Sequence, residues 1–301
     1  MQINQANLRT LNTGYKAAFQ RGITAAQAQT QYSRFATMVP SGTASEEYGW
    51  LGSFPNVREW LGDRVVHGVK SHGYTIKNKD WELTVGVPRN AVDDDQHGIY
   101  APMMEEMGRS VEAHPDQMVF GLVKDGASQL CYDGQNFFDT DHPVLDAAGG
   151  VQSQSNWDDN SGAGTPWYLL DLSRALRPII FQDRKKPEFV SKNQVTDDNV
   201  FWAKEFVYGV DCRRNVGYGF WQLAYGSRKA LDETNLIAAY TAMTERTGDF
   251  GRPLGIKPNV LLVRPGQEFA ARKLVSASTL ANGAENVLKG LVEVVSSPWV
   301  I

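Results

Sequence analysis

The stretch GIYAPMMEEMGRSVEAHPDQMVFGLVKDG, residues 98–126, decides the fold. Tyr100, Met104, Met107, Val111, Met118 and Leu122 recur at steps of three, four or their multiples. That spacing places them on one stripe of an amphipathic helix. Ile99, Met103, Val119 and Val123 widen the stripe, and Glu105, Glu106, Arg109, Glu112, Asp116 and Lys124 fall on the opposite face. Pro102 suits a first turn, where a missing N–H costs nothing. Pro115 lies inside the pattern and predicts a kink, or a stop and restart with Asp116 and Gln117 in the new first turn. Gly126 is an end signal. Taken alone, such a helix fits the core of any globular domain, so its neighbours in sequence decide what it serves.

Upstream, residues 50–92 change character. Trp81, Leu83, Val85 and Val87 alternate, as do Tyr74 and Ile76, and that is strand period. The pattern predicts a long β-hairpin, with an outgoing arm near Val57 to Val69, a tip near His67 to Gly73, and a return arm from Tyr74 to Val87. Trp50, Phe54, Trp60 and Trp81 give it more aromatic surface than a two-stranded ribbon can cover, so a partner surface is expected. Residues 1–49 read as an arm. Leu8, Leu11, Tyr15 and Phe19 form one short apolar stripe in a Gln-, Ala-, Ser- and Thr-rich segment that must lie on another surface. Between hairpin and helix, Asp93, Asp94 and Asp95 suit the positive end of a helix.

Composition narrows the classes. The chain has 301 residues, enough for two or three compact units. Its net charge of −4 gives no strong pull toward nucleic acid. No apolar run approaches a membrane span, and MQINQANLRT lacks the apolar core of a signal peptide. Two cysteines, Cys131 and Cys212, fit a reduced cytoplasmic setting.

Taken in order, the segments REWLGDRVV, YTIKNKDWELTV, PRNAVDDDQHGIYAPMMEEMGR, AHPDQMVFGLV and CYDGQNFFDTDHPV resemble the major head subunits of Mu-like phages and prophages, the gpT family. The resemblance covers essentially the whole chain. It implies an α+β capsid fold of the Hong Kong 97 type. In that arrangement residues 1–49 are the N-terminal arm and 50–92 the extended loop. Residues 93–226 are a peripheral domain built on the spine helix 98–126 and a sheet, and 227–301 an axial domain. It further implies self-assembly into pentamers and hexamers of an icosahedral head enclosing double-stranded DNA. The implied partners are a portal protein and packaged DNA, touched weakly and without sequence preference; no membrane is involved. Assembly in the host cytoplasm and residence in the virion follow. Only about 49 residues precede the loop, so a separate scaffold protein is expected. Trp50, Phe54, Trp60, Tyr74, Ile76 and Trp81 are then expected at subunit interfaces.

The rest of the chain fits with one departure. WYLLDL, RPIIFQ, PEFVS, AKEFVYGVDCRRN and GYGFWQLAYG, within residues 167–226, read as strands, with Arg184, Lys185 and Lys186 at a turn. In many related capsids a comparable W-Y-L segment closes the chain, whereas here it precedes a helix and GRPLGIKP, which allows a permuted strand order. Residues 145–166 read as a polar loop. Residues 230–247 predict a helix with Leu236, Ala239, Tyr240 and Met243 on one face, followed by a buried strand at Val260 to Val263, a helix from Gln267 to Ser276 and a strand at Leu291 to Val295.

An enzyme reading is the rival. Asp139, Asp141 and His142 in DGQNFFDTDHPV invite a metal-dependent hydrolase, but three residues on one loop make an incomplete site. The histidines show no paired-ligand spacing, no nucleophile elbow is present, and Gly251-x-x-x-Gly255 lacks the Gly-Lys-Ser/Thr of a phosphate loop. No catalytic residue, cofactor or metal is therefore expected.

Overall fold

The computed structural model describes residues 5–49, 51, 73–94, 98–279 and 283–301. Of the expected interface residues, Trp50, Phe54 and Trp60 lie outside them, as do the outgoing arm and most of the tip of the expected hairpin.

The chain opens with α1 (Gln5–Gln27), α2 (Tyr32–Phe35), β1 (Ala36–Pro40), β2 (Ser45–Glu47), β3 (Thr75–Lys77), β4 (Lys79–Pro88), α3 (Arg89–Asp94) and α4 (Ala101–Lys124). Short strands β5 (His142–Leu145), β6 (Val151–Gln154), β7 (Trp157–Asp158) and β8 (Trp167–Leu170) precede the long β9 (Ile179–Lys192), α5 (Asp198–Ala203) and long β10 (Glu205–Tyr218). The last part holds β11 (Ala224–Ser227), α6 (Glu233–Thr244), β12 (Thr247–Gly248), β13 (Arg252–Pro253), β14 (Val260–Val263), α7 (Glu268–Ser276) and β15 (Glu293–Ser296).

Two sheets carry the architecture. The first has the order β1-β9-β10-β4, with β1 parallel to β9 and the other pairs antiparallel. The expected turn at Arg184 to Lys186 is corrected here, because β9 runs straight through the basic triplet. Its register with β10 shifts between Asp211 and Arg213 and again before Arg214. Pro187 falls between the paired residues Lys185 and Glu188, where a bulge asks for no ladder N–H.

The second sheet has the order β15-β14-β8-β11-β7. All four residues of β8 and all four of β14 are buried, so both faces of its centre are covered. This sheet cuts across the expected boundary at 226/227. Strand β8 pairs with β14 and also with β11, so strands on either side of that boundary share one sheet.

Helix α4 joins the two halves. Met104, Met107 and Val111 pack in one core with Leu8, Tyr15 and Phe19 of α1 and with Phe206, Tyr208 and Val210 of β10. Val119, Phe120 and Val123, further along the same helix, pack in the larger core around the second sheet. The expected stripe is the buried face: Met104, Met107, Val111 and Met118 are buried, Tyr100 and Leu122 half-buried. The N-terminal segment lies on α4 at very close range. A Cβ on Gly22 would stand 1.9 Å from Glu105 O, and one on Gly108 would stand 2.1 Å from Phe19 O. Two glycines thus let the backbones touch, and no side chain at either position fits.

Candidate assembly surfaces

Pro115 creates the first special feature. It sits inside α4 and has no N–H, so the carbonyl of Val111 loses its helical partner. The helix does not stop there. Arg214 of β10 supplies the missing donor, its Nη2 giving Val111 O a hydrogen bond of 3.0 Å. Asp116, expected on the solvent face, is buried instead. Its carboxylate accepts from the backbone N–H of Gln31 (2.9 Å) and of Tyr32 (2.6 Å), which anchors the start of α2. Burial raises the Asp116 carboxyl above its ordinary value, and those two bonds pull the other way.

Trp81 of β4 lies over the same region. Its Nε1 donates to Arg214 O at 2.9 Å, and its ring meets His114 edge-on at 4.5 Å. Burial, then the Arg214 charge, hold the His114 imidazole down at about 4, so it is neutral near pH 7. Between α4 and strands β4 and β10 a cavity of about 300 Å³ remains, walled by Trp81, Leu83, Val111, His114, Val210 and Arg214.

The return arm is stitched to its own subunit. Strand β4 pairs with β10 from Glu205↔Pro88 to Arg214↔Lys79, and β3 pairs with β2. Ile76 is 4% exposed and packs against Gly217, while the Tyr74 hydroxyl accepts from Tyr218 N at 2.8 Å. A buried polar chain adds to the seam: Tyr48 Oη donates to Gln182 Oε1, Gln182 Nε2 to Asn78 Oδ1, and Asn78 Nδ2 to Ser41 Oγ, each at 2.8 Å. Ile76, expected at a subunit interface, is already enclosed in its own core and has little surface left to give a neighbour. Tyr74 and Trp81 are half-buried and keep part of theirs.

The Asp139, Asp141 and His142 set does not converge on one ligand. His142 is fully buried, stacked 3.9 Å from Trp221, with Nδ1 2.7 Å from Asp133 Oδ2 and Nε2 3.2 Å from Asn156 Oδ1. The Asp139 carboxylate instead accepts from Asn136 N and Thr140 N. Asp141 is exposed and shares a hydrogen bond with Asp139 that raises its carboxyl. Among the described residues, the metal-ligating atoms that do cluster belong to Cys131, Asp133 and His142, all within 4.8 Å. They satisfy one another. Cys131 Sγ donates to Asp133 Oδ1 at 3.0 Å, and burial, then the Asp133 charge, push the thiol far above its usual value. A thiol held protonated is neither a nucleophile nor a ready ligand. The buried Arg246 guanidinium, brought down to about 10 by its burial, sits 5.3 Å over the Trp221 ring that His142 stacks on. The loop is a packed polar hub.

Sequence reading missed one surface. Helix α5, between the two long strands, turns Phe201 and Trp202 into solvent at 69% and 80% exposure. The signal was present as FWAK between two strand patterns, but a six-residue helix has too few turns to declare a face.

The arrangement matches known proteins along its whole length. The family model of the Mu-like prophage major head subunit gpT matches residues 8–300. The major capsid protein of Escherichia phage Mu is 43% identical over 99% of this chain and 100% of its own. The Mu-like prophage FluMu major head subunit of Haemophilus influenzae is 44% identical over 89% of this chain and 88% of its own. Among solved structures, a chain of the bacteriophage JBD30 procapsid is 46% identical with a TM-score of 0.86, over 99% of this chain and 100% of that one. One from the JBD30 capsid is 36% identical with a TM-score of 0.78, over 90% and 91%. Since the match takes in both sheets, the glycine-tight helix pair and the helix that joins the two cores, the chain belongs to the Mu-like major head subunit family.

Proposed function

We infer that the chain is the repeating subunit of the head shell of a tailed phage, a structural component of the virion and not an enzyme. The observation that carries this reading is the likeness of the entire chain, not of one domain, to a procapsid subunit. A shell protein works through the geometry and energy of contacts with copies of itself, and a subunit fold conserved from end to end preserves that geometry.

In finer detail, the fold is read as the Hong Kong 97 type. Helix α4 acts as its spine. The first sheet with α1 forms the peripheral part, and the second sheet with α6 and α7 the axial part, reached by a chain order in which β7 and β8 precede the long strands. Pentamers and hexamers are the expected units. Trp50, Phe54, Trp60, Tyr74 and Trp81 are proposed to contact a neighbouring subunit, with Trp81 contributing only the part of its ring that α4 leaves uncovered. A separate scaffold protein, a portal protein and weakly held packaged DNA complete the proposed partners.

Electron microscopy and sedimentation of the purified protein, alone and with a scaffold protein of the same phage, test the reading. Uniform closed shells in the presence of scaffold are expected. Small soluble oligomers under both conditions would overturn it.

A further inference from the structure

Exposed apolar side chains gather where β9 turns back into β10. Val190, Val195, Phe201 and Trp202 all fall within residues 190–202 and all are exposed. Single exposed apolar residues need no partner, but a group of them marks a contact surface. Phe201 and Trp202 are its centre. Their rings pack edge-on at 4.9 Å, so they enter solvent as a preformed knob. Val200, at 1% exposure, pins α5 to the body. Asn199 Nδ2 donates to Lys192 O at 3.0 Å and to Glu205 O at 2.7 Å, which ties the helix across the base of the hairpin.

The charges around the knob fit a second copy of the same patch. Asp198, three residues before Phe201, and Lys204, directly after the helix, are both exposed. Among the described residues neither takes part in an ion pair. Lys192, whose carbonyl shares the Asn199 amide with that of Glu205, adds a second exposed cation at the Lys204 end. The neighbouring acids are engaged elsewhere. The Asp197 carboxylate accepts from Gln194 N at 2.8 Å, and that of Glu205 lies over Gly86, where a Cβ would stand 2.0 Å from Glu205 Oε1. Helical rise puts Asp198 and Lys204 roughly 9 Å apart along the axis, with the rings between them. Acid, rings and cation in that order match the same sequence turned through half a rotation.

We propose that α5 of one copy docks antiparallel on α5 of a second copy about a twofold axis, ring against ring, with Asp198 of each copy facing Lys204 of the other, and that this pair is one of the repeated contacts of the shell. The inference rests on reading the chain as a shell subunit. A contact of this kind is isologous, so one patch serves both copies and each bond is made twice. The rings are the anchor, the usual centre of binding energy at an interface. The charges set the antiparallel register, because a parallel pair would bring like charges together. Two rings of at most roughly 250 Å² each fall short of the ~800 Å² per partner of a stable complex. The pair is therefore expected within shells, where other contacts hold the copies, and not between free subunits.

The test reverses the charges. Asp198→Lys alone and Lys204→Asp alone each set like charges face to face across the axis. Each is expected to raise the protein concentration needed for shells with scaffold by about fivefold. An equal mixture of the two variants is expected to assemble at a lower concentration than either alone, because every mixed pair again sets an acid against a cation at both ends. An effect confined to one subunit would not be rescued by mixing. Trp202→Ala is expected to raise the concentration by about tenfold, while denaturant unfolding of the free subunit stays as in the wild type for all three variants. The pairing is overturned by single reversals that assemble at the wild-type concentration, by a mixture that does no better than its components, or by Trp202→Ala that assembles as the wild type does. Wild-type protein that makes no shells with scaffold overturns the shell reading itself, so the two failures are separable.

Discussion

The two sheets are built on opposite terms. The second is buried on both faces, with β8 and β14 wholly enclosed. Among the described residues, the first is covered mainly on one face. Along β4 and along β9 from Asp183 onward, exposed and covered residues alternate, so one face meets α1 and α4 and the other meets solvent. A sheet covered on both faces holds itself together. A sheet covered on one face, with β4 at its edge among the described residues and a projecting aromatic helix at one end, has surface to spend on a neighbour. The difference separates what keeps the subunit folded from what makes it assemble.

The largest expected effect is a deletion in the enclosed half. Phe120 is 1% exposed and meets Phe35 edge-to-face at 4.9 Å. Phe120→Ala should cost about 3–5 kcal/mol of subunit stability, the range for emptying a buried aromatic site. Denaturant unfolding of the unassembled protein measures it. A loss below about 1 kcal/mol would show that the second core is not the stabilising one.

Next comes the glycine seam under the first sheet. Gly108→Ala gains helix propensity, worth up to ~1 kcal/mol. It also drives a methyl into the carbonyl of Phe19, and the backbone there cannot rotate away. The clash should win, with a net loss of about 1–3 kcal/mol. Because α1 is the element displaced, limited proteolysis should cut near its end before the body unfolds. Equal protection of α1 in variant and wild type would sink this account of the helix pair.

Acid should also tell the halves apart. His114 is held at about 4 in the fold against 6.5 when unfolded. Its folded value is depressed, so the unfolded chain takes up the proton first. The stability it represents is present above pH 6.5 and lost as pH falls from 6.5 to about 4. Asp133, in the other half, loses its contribution only below the ordinary carboxylate value. Burial tends to raise it, but hydrogen bonds from His142 and Cys131 outweigh burial and lower it. His114→Gln should therefore flatten the wild-type loss between pH 6.5 and 4 by about 1 kcal/mol, allowing for solvent screening of a half-buried ring. Thermal melts at pH 7, 5.5 and 4.5 read it; parallel curves for variant and wild type would refute the assignment.

Much of this division was legible in the sequence wherever periodicity was long. The α4 stripe, the Leu236, Ala239 and Met243 face of α6 and the strand Val260–Val263 all declared themselves, because one buried face repeats within a dozen residues. What was hidden is non-local. Gly22 and Gly108 lie far apart in the chain, and nothing in either segment says that they meet. Arg184 to Lys186 beside Pro187 read as a turn, yet the ladder to β10 and its bulge keep β9 extended through them. Sheet membership of residues 167–170 depends on partners at 224–227 and at 260–262, far along the chain. The candidate cavity was invisible for the same reason, since Trp81, His114 and Arg214 come from three separate segments. The Asp139, Asp141 and His142 loop misled in the opposite sense, because residue types suited to metal chemistry were used for packing.

The smallest effect belongs to Lys204, and it probes the projecting end of the first sheet. Lys204 follows α5 in the left-handed region, at φ 53° and ψ 41°. A lysine there meets its own carbonyl with its Cβ, at a cost of roughly 1 kcal/mol that glycine does not bear. The conformation is kept because the turn must bring the chain from α5 straight into β10, and its carbonyl accepts from Arg89 N at 2.7 Å. Lys204→Gly should therefore stabilise the subunit by about 0.5 kcal/mol, part of the relieved strain being returned as greater freedom of the unfolded chain. The same substitution loosens the stem that aims Phe201 and Trp202. If that aim serves assembly, the more stable subunit should assemble no better than the wild type, and the two measurements, subunit melting and shell yield, should part company. A variant that gains in both would place the strained turn with the enclosed half, as a plain defect of folding, and would erase the contrast between the two sheets at the point where it is sharpest.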